Sequence, residues 1–322
     1  MVEWYTRATQ NRVSQGMEVR VLSPAPMKKP KVLVILGPTA SGKSDLAVRL
    51  AKKFKGEVIS ADSRQVYKRL NIGTGKITKQ EMEGIPHHLL DVADPRKYFS
   101  VSDYKKLALL SLRYIETKKK LPIICGGTGF YIDTLIEKID LPEVPPNKAL
   151  RRKLEKLSVE KLYKTLLKKD LRRAKEIDPR NKVRIIRALE IVELLGKVPI
   201  RQPARLTDYE FLFIGIKPTK DDLEKRIHKR ILKRLNGMIQ EAKKLKNQKL
   251  PYSRMEALGL EYRYLARLLQ NKITKQEFVE QLYSEIKKYS KRQMTWFRRN
   301  PEIKWFKPNE YKKIEKYLKT KL

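Results

Sequence analysis

The sequence GPTASGKS at residues 37–44 decides the fold of this chain. It follows the pattern G-x-x-x-x-G-K-[ST] and lies between an apolar run, Val32–Leu36, and a stretch with helical spacing of apolar residues, Ser44–Phe54. A strand that ends in such a loop and continues into a helix is the setting that a phosphate-binding loop requires. The spacing therefore predicts a buried parallel strand, a loop whose backbone N–H groups surround an anion, and a helix that begins at the phosphate.

Every residue of this loop is a candidate phosphate contact. Lys43 supplies a positive charge for the phosphates, and the Ser44 hydroxyl can ligate Mg²⁺. The pattern does not define the phosphate compound, because a nucleoside triphosphate and a diphosphate on another carbon skeleton suit the same loop. The predicted diphosphate- or nucleotide-binding residues are Gly37, Pro38, Thr39, Ala40, Ser41, Gly42, Lys43 and Ser44.

Two further loops are predicted at the same edge of the sheet. Glu57–Ala61 reads as a second strand that ends at Asp62, and Leu121–Cys125 reads as a third strand before Gly-Gly-Thr-Gly at 126–129. Ser102 is expected to cap the helix between them. Strand–helix alternation implies right-handed βαβ units with ligands at the carboxyl ends of the strands. Asp62 could therefore be a catalytic base, a helix cap or a Mg²⁺ ligand, and the glycine-rich loop could also be a simple tight turn.

The remaining sequence is mainly helical and basic. Residues 147–196 and 221–299 have helical spacing, and the apolar run Phe211–Ile216 between them reads as another strand. We predict an α/β fold: a P-loop NTPase-like parallel sheet flanked by helices, formed by residues 31–139 and 209–322, with an inserted all-helical domain at 140–208 and a helical C-terminal part. Residues 1–30 are expected to be a disordered extension; a weak transit peptide or a true start at Met27 are the alternatives.

The charge balance points to a polyanionic partner. Among 322 residues, Lys and Arg number 74 against 36 Asp and Glu, which gives a formal net charge of +38. Nucleic acid is the simplest such partner, because neutralising its phosphates releases condensed counterions. A compositional habit of the organism is the alternative. No run of about 18–20 apolar residues is present, so a membrane span is excluded.

The single cysteine, Cys125, lies in the apolar run that precedes the glycine-rich loop. One cysteine cannot form an internal disulfide, which fits a reducing compartment and a cytoplasmic protein. Its strand-like surroundings are typical of a small core residue rather than of a nucleophile. The sequence contains no Cys/His cluster with the spacing of a structural zinc site.

Several motifs in order resemble those of the tRNA dimethylallyltransferases, also called tRNA isopentenyltransferases, and the resemblance covers about residues 31–306. The matching segments are GPTASGKS at 37–44, DSRQVY at 62–67, HHLLDVADP at 87–95, GGTGFYI at 126–132, VRIIRALEI at 183–191 and KRQMTWFRR at 291–299. Three segments depart from the family pattern. Residues 73–77 lack the usual proline, residues 256–262 differ from the common G-Y-K/R-E form, and an expected turn at Asn236-Gly237 is one residue short.

The resemblance implies transfer of a dimethylallyl group from dimethylallyl diphosphate to N6 of adenosine 37, beside the anticodon of tRNA, with Mg²⁺ as cofactor. It implies that Asp62 accepts the proton of the amine and that Thr39, Lys43 and Ser44 hold the diphosphate. Arg230 matches the family's phosphate-contacting arginine, with Arg226 as the alternative. The residues that it assigns to the flipped base and the anticodon stem-loop are Asp62, Ser63, Arg64, Gln65, Thr128, Val183, Arg184 and Arg187. Nothing in the sequence indicates more than a monomer.

Three other functions fit parts of the pattern. An isopentenyltransferase acting on free adenine nucleotides would keep the same core chemistry but would not need basic inserted helices. A small-molecule P-loop kinase would bind ATP in the same loop. An RNA-binding protein with a relic P-loop would keep RNA binding but have no turnover for Asp62→Ala to remove.

Overall fold

A single parallel sheet forms the centre of the molecule in the computed structural model, which describes residues 29–136, 142, 144–200 and 208–322. Within these ranges the sheet has six strands in the order β3-β2-β4-β1-β5-β6, and each neighbouring pair is parallel. The strands are β1 Lys31–Leu36, β2 Gly56–Ser60, β3 His87–His88, β4 Leu121–Gly126, β5 Glu210–Ile216 and β6 Lys304–Phe306. The predicted parallel α/β sheet is confirmed.

The helices cover both faces of this sheet. Alternate residues of β1 point to opposite sides, so Val32 and Val34 join one hydrophobic core and Leu33 and Ile35 join the other. The helices in the described ranges are α1 Lys43–Lys53, α2 Lys79–Met82, α3 Val101–Thr117, α4 Gly129–Ile136, α5 Lys148–Glu155, α6 Val159–Lys169, α7 Leu171–Glu176, α8 Lys182–Leu195, α9 Lys220–Asn247, α10 Tyr252–Leu258, α11 Leu260–Leu269, α12 Lys275–Phe297 and α13 Tyr311–Lys319. Helices α3, α9, α11 and α12 contribute to the first core, and α1 and α13 to the second.

Helices α5–α8 have a hydrophobic core of their own. Leu162 and Leu166 of α6 and Ile185 and Leu189 of α8 are buried there, away from both cores of the sheet. Separate cores are what an inserted helical domain requires. Residues 137–141 and 201–207, which contain or adjoin the predicted domain boundaries, lie outside the described residues, as do Glu143 of the proline-rich connector and residues 1–28 with Met27.

Two local predictions were wrong. Helix α3 is capped by Ser100, not by Ser102: the Ser100 hydroxyl accepts from the N–H of Asp103, and the Asp103 carboxylate accepts from the N–H of Ser100. The expected turn at Asn236-Gly237 does not form, because α9 continues through both residues. Gly237 faces Ile72, and a Cβ at this glycine would come within 3.1 Å of the Ile72 side chain.

No helix in the described ranges combines enough length and hydrophobicity to cross a bilayer.

Candidate active site

The predicted phosphate-binding loop connects the carboxyl end of β1 to the first residue of α1. Gly37, with φ +153°, passes so close to β5 that a Cβ would lie 2.6 Å from the Ile216 carbonyl oxygen. Gly42, at φ +88°, occupies the N-cap position of α1, and no side chain accepts from the first turn of this helix. The free N–H groups of a helix N-terminus attract an anion. The loop therefore has the backbone conformation and the open donors that a diphosphate needs.

Lys43 points into its own loop. Its ammonium donates to the Pro38 carbonyl at 3.0 Å. Burial lowers the pKa of Lys43 most strongly, the positive charge of Arg230 lowers it further, and Asp62 raises it. The charges of Asp62 and Arg230 therefore both act on Lys43, although the three residues come from different elements of the fold.

The loop also contains a buried hydroxyl without a partner. Ser41 is fully buried, and its Oγ makes no hydrogen bond to any residue that the structure describes. The neighbouring Cys125 is a core residue, as predicted. Burial raises the pKa of its thiol to about 12, and the thiol donates to the Lys43 carbonyl at 3.6 Å. A protonated, buried thiol is a poor nucleophile, so the chemistry rests on other groups.

Thr39 is linked to the glycine-rich loop through Gln293 of α12. The Thr39 N–H donates to Gln293 Oε1 at 2.9 Å, and Gln293 Nε2 donates to the Gly127 carbonyl at 2.8 Å. Gln293 is only 5% exposed, so this connection between the two loops is shielded from water. Sequence analysis quoted the motif that contains Gln293 but gave the residue no role. A buried amide can be identified as a bridge only when both loops are seen.

Asp62 lies at the carboxyl end of β2, two strands from the phosphate loop. Its Oδ1 accepts from the N–H of Arg64 at 2.8 Å and from that of Gln65 at 3.3 Å. The residues that follow form a turn, not a helix, so Asp62 caps a turn. Its Oδ2 makes no hydrogen bond within the described part of the chain. One oxygen therefore orients the carboxylate while the other is available to a substrate proton.

Thr128 and Ser63 meet beside Asp62. The Ser63 N–H donates to Thr128 Oγ1 at 3.0 Å, and the Thr128 N–H donates to the Ala61 carbonyl at 3.1 Å. Tyr289 of α12 lies beside the Thr128 side chain, and burial raises the pKa of this tyrosine to about 12. The loops after β2 and β4 are thus joined, which brings the predicted residues Asp62, Ser63 and Thr128 together.

Both candidate arginines of α9 face this edge of the sheet. An Arg226 nitrogen lies 3.7 Å from the position that a Cβ of Gly42 would occupy. Arg230 donates to the Gly75 carbonyl at 3.2 Å, and Gln65 donates to the same oxygen at 3.4 Å. Because the two arginines are four residues apart on one helix, they share a face. Arg226 is nearer the start of α1, and Arg230 connects the phosphate region to the turn after Asp62.

Glu261 of α11 also belongs to these surroundings, and sequence analysis missed it. Burial raises the pKa of its carboxyl, while the charges of Arg234 and Arg230 lower it and Asp62 raises it. The residue lies in the segment that departs from the family pattern, and that departure was the only available signal. A second carboxyl, whose neutral form burial favours, therefore lies near Asp62 on the acceptor side of the site.

The three predicted tRNA contacts in the helical segment lie on α8 and differ in exposure. Val183 is 78% exposed, and Arg184 is exposed beside it. Arg187 is half-buried, donates to the Val144 carbonyl at 2.8 Å and lies 3.5 Å from Glu190. The structure therefore leaves Val183 and Arg184 open to a partner and holds Arg187 within the segment.

The oxygen ligands that the phosphate loop offers fit a magnesium ion that is held mainly by the substrate. The Ser44 hydroxyl lies in the first turn of α1, and the described residues contain no group of three or more His, Cys, Asp or Glu side chains that could hold a metal. Mg²⁺ commonly binds through one or two protein oxygens together with phosphates and water. One hydroxyl with a diphosphate beside it matches that mode of binding.

The chain is similar in sequence to known proteins over most of its length. Residues 65–300 match the family model described as IPP transferase. The chain is 40% identical to the tRNA dimethylallyltransferase of Anoxybacillus flavithermus over 281 residues, which are 86% of this chain and 90% of the relative. It is 42% identical to tRNA dimethylallyltransferase 2 of Treponema denticola over 272 residues, covering 83% and 91% of the two chains.

Solved structures agree in fold. The full-length tRNA isopentenylpyrophosphate transferase of Bacillus halodurans superposes with a TM-score of 0.69 at 36% identity, covering 91% of this chain and 97% of that one. A eukaryotic dimethylallyltransferase, described in crystallographic snapshots as acting on tRNA, gives a TM-score of 0.74 at 29% identity over 87% and 74% of the two chains. Given this match to the family model and to relatives over most of its length, the chain belongs to the IPP transferase family.

Proposed function

We propose that this protein transfers a dimethylallyl group from dimethylallyl diphosphate to N6 of adenosine 37 in tRNA, giving N6-isopentenyladenosine. The observation that carries the proposal is the meeting of an anion-binding loop and the Asp62 carboxylate at one edge of the sheet, in a chain whose relatives are named tRNA dimethylallyltransferases. The net charge of +38 supports a nucleic-acid acceptor.

The diphosphate would bind at residues 37–44. Backbone N–H groups from the start of α1 and the Lys43 ammonium would hold its oxygens, with Lys43 exchanging the Pro38 carbonyl for phosphate. Arg230, and Arg226 one turn before it, would add positive charge where the leaving group becomes more negative. Ser44 would hold Mg²⁺, which when bound neutralises part of the diphosphate charge.

The acceptor amine needs a base. The exocyclic nitrogen of adenine is a weak nucleophile because its lone pair is delocalised into the ring. In the transfer, the carbon–oxygen bond to diphosphate breaks, its electron pair leaves with the diphosphate, and a nitrogen–carbon bond forms. The nitrogen then gives its proton to Asp62, whose Oδ2 is free while Oδ1 is fixed by two backbone N–H groups.

The target base must leave its stack to reach the sheet edge. Ser63, Arg64, Gln65 and Thr128 surround the position where it would enter, on the turn after Asp62 and the loop after β4. Because Val183 and Arg184 are exposed on α8, we assign them to the anticodon stem-loop. Arg187 supports that surface from within, through Val144 and Glu190.

The same proposal covers the organisation of the chain. Residues 140–208 would form an inserted tRNA-binding domain on a core of residues 31–139 and 209–322, since helices α5–α8 have a separate hydrophobic core. The chain is proposed to act as a monomer. A tRNA substrate and a single buried cysteine support a cytoplasmic location.

The test is a transfer assay with purified protein, Mg²⁺ and radiolabelled dimethylallyl diphosphate, offered total tRNA or AMP in separate reactions. We expect label in tRNA and none in AMP, and nuclease mapping should find it on the adenosine beside the anticodon. Label in AMP would assign the protein to free nucleotides instead. Label in neither acceptor, together with saturable ATP binding, would favour a kinase.

A further inference from the structure

A buried carboxylate outside the proposed mechanism holds a loop of the active site. Glu241 of α9 is only 9% exposed. Its carboxylate accepts from three successive backbone N–H groups: Asn71 at 2.8 Å, Ile72 at 2.7 Å and Gly73 at 2.9 Å. Three consecutive N–H groups that converge on one side chain fix both the position and the orientation of the loop.

A fourth donor completes this arrangement. The hydroxyl of Tyr262, from α11, donates to Glu241 at 2.6 Å and is buried with it. Burial and the adjacent carboxylate keep the pKa of Tyr262 well above 10, so the hydroxyl is a donor at neutral pH. Gly73 permits the close approach, since a Cβ there would lie 2.6 Å from the Tyr262 oxygen. Helices α9 and α11 and the loop are thus joined at one buried point.

The same loop reaches the active site a few residues later. The Gly75 carbonyl accepts from Arg230 at 3.2 Å and from Gln65 at 3.4 Å, as described above. Backbone bonds from Gly75 to Ile72 and from Lys76 to Asn71 close the turn, so movement at one end displaces the other. Gly75, at φ +59°, is also required, because a Cβ there would come within 1.8 Å of the Arg230 guanidinium.

We propose that Glu241 is a positioning residue for the transfer reaction: it fixes the loop of residues 71–76 and, through the Gly75 carbonyl, sets the places of Arg230 and Gln65. This inference rests on the proposed function. Glu241 and Arg230 are eleven residues apart on α9, about three helical turns, and so lie on the same face. The helix therefore holds the loop at three points: the buried Glu241 carboxylate, Arg234, which donates to the Ile72 carbonyl at 2.7 Å, and Arg230 at the diphosphate.

A carboxylate suits this task and an amide does not. An ionised glutamate only accepts hydrogen bonds, and it has room for about four. One oxygen receives Asn71 and Ile72, and the other receives Gly73 and Tyr262. In Glu241→Gln, either orientation of the amide turns its NH₂ toward two donors. The substitution keeps the volume of the side chain and removes half of the acceptors.

The experiment measures kcat and KM for dimethylallyl diphosphate at saturating tRNA in a double-mutant cycle. We expect Glu241→Gln to lower kcat/KM about 30-fold and Tyr262→Phe about fivefold, because buried donors lose their acceptor. Glu224→Gln removes a carboxylate that lies elsewhere on α9 and pairs with Lys287 of α12. As the matched control, it should stay within about twofold of the unsubstituted protein.

The cycle separates positioning from simple stabilisation. If Glu241 acts through Arg230, Glu241→Gln should cost less than about threefold in an Arg230→Ala background, since coupled residues are not additive. An equal cost in both backgrounds, or a lowered melting temperature with unchanged kinetic constants, would overturn the inference. If Glu241→Gln does not fold, Tyr262→Phe in the same two backgrounds gives the same decision. Absence of transfer by the unsubstituted protein would overturn the proposed function and this assignment with it.

Discussion

The carboxyl edge of the sheet and the helical segment α5–α8 hold their cationic side chains in different ways. At the sheet edge, Lys43 and Arg230 donate to neutral backbone carbonyls, those of Pro38 and Gly75. In the helical segment, Arg187 also donates to a backbone carbonyl, that of Val144, but it lies beside the buried carboxylate of Glu190. A carbonyl leaves the positive charge of its donor uncompensated, whereas a carboxylate neutralises it. The first arrangement keeps cations ready for an anionic ligand, and the second uses them to hold helices together.

The difference shows that a basic residue cannot be assigned a role from its type alone. Arg184 and Arg187 are three residues apart on α8, yet one is exposed and the other is bound to its own segment. The partner of each guanidinium decides whether it contacts a ligand or supports the fold. Substitutions at matched positions can test this distinction, and they are described in order of expected effect.

Lys43→Ala should produce the largest loss. Removing a charged donor from the leaving group should lower kcat/KM for dimethylallyl diphosphate about 1,000-fold, comparable to the loss of a strong transition-state donor. Affinity for tRNA should change less than about twofold, because Lys43 lies inside the phosphate loop. Equilibrium binding of both substrates, measured separately, checks this. Equal losses for the two substrates would contradict the assignment of Lys43 to the diphosphate.

Arg230→Ala and Arg226→Ala form a matched pair on one face of α9. We expect Arg230→Ala to lower kcat/KM about 100-fold, because it removes a charge from the diphosphate and a contact from the Gly75 carbonyl. Arg226→Ala should cost about tenfold, because it removes a charge near the start of α1 but no contact with the Gly75 carbonyl. Steady-state kinetics with varied dimethylallyl diphosphate make the comparison. A larger loss for Arg226 would make that residue the principal phosphate contact.

Glu57 provides a test of stability at the opposite end of β2. Its carboxylate is fully buried beside His88, Lys118 and Lys120. Although burial alone would raise its pKa, hydrogen bonds from Lys120, His88 and Lys118 lower it to about 2. The stabilisation is therefore fully present above about pH 4.5 and is lost as the pH falls through about 2.

Glu57→Gln should lower the free energy of unfolding by about 1–2 kcal/mol at pH 7, since its lysine partners remain solvated. The difference from the unsubstituted protein should shrink as the pH falls from 4.5 toward 2. Urea unfolding at several pH values measures it. A difference that is constant down to pH 2 would show that the carboxylate charge is not involved, and transfer activity at pH 7 should be unchanged.

The smallest effect is expected for the exposed arginine of α8. Arg184→Ala should weaken tRNA binding about threefold and reduce the slope of log K against log salt by about one, as for a single phosphate contact. Arg187→Ala should lower the melting temperature instead, because it loses the Val144 carbonyl and Glu190. Binding titrations over a salt series, with thermal unfolding in parallel, compare the two. A salt slope changed only by Arg187→Ala would reverse the assignment.

Sequence alone predicted the parts of the fold that depend on local patterns. The strand–loop–helix unit around Gly37–Ser44 and the strands that end near Asp62 and Gly126 follow from apolar runs and glycines, and the structure contains them. The strands β3 and β6 were not predicted, because runs of two and three residues carry too little periodicity. The cap of α3 was assigned two residues late, since serines at 100 and 102 are equivalent as sequence signals.

The supporting contacts of the site could not be predicted. Gln293 bridges two loops, and Glu241 holds a loop about 170 residues earlier in the chain. Nothing local to either residue indicates its partners. Such contacts depend on which helices pack over the sheet edge, and that packing becomes visible only in three dimensions.

Single-turnover transfer by Asp62→Asn tests the central claim most directly, namely that Asp62 is the base beside the bound diphosphate. Asparagine keeps the oxygen that accepts from the Arg64 and Gln65 N–H groups, so the turn should be preserved. With both substrates saturating, we expect the rate to fall about 100- to 1,000-fold while both dissociation constants stay within about twofold. An unchanged rate, or a loss explained entirely by weaker binding of either substrate, would contradict the account.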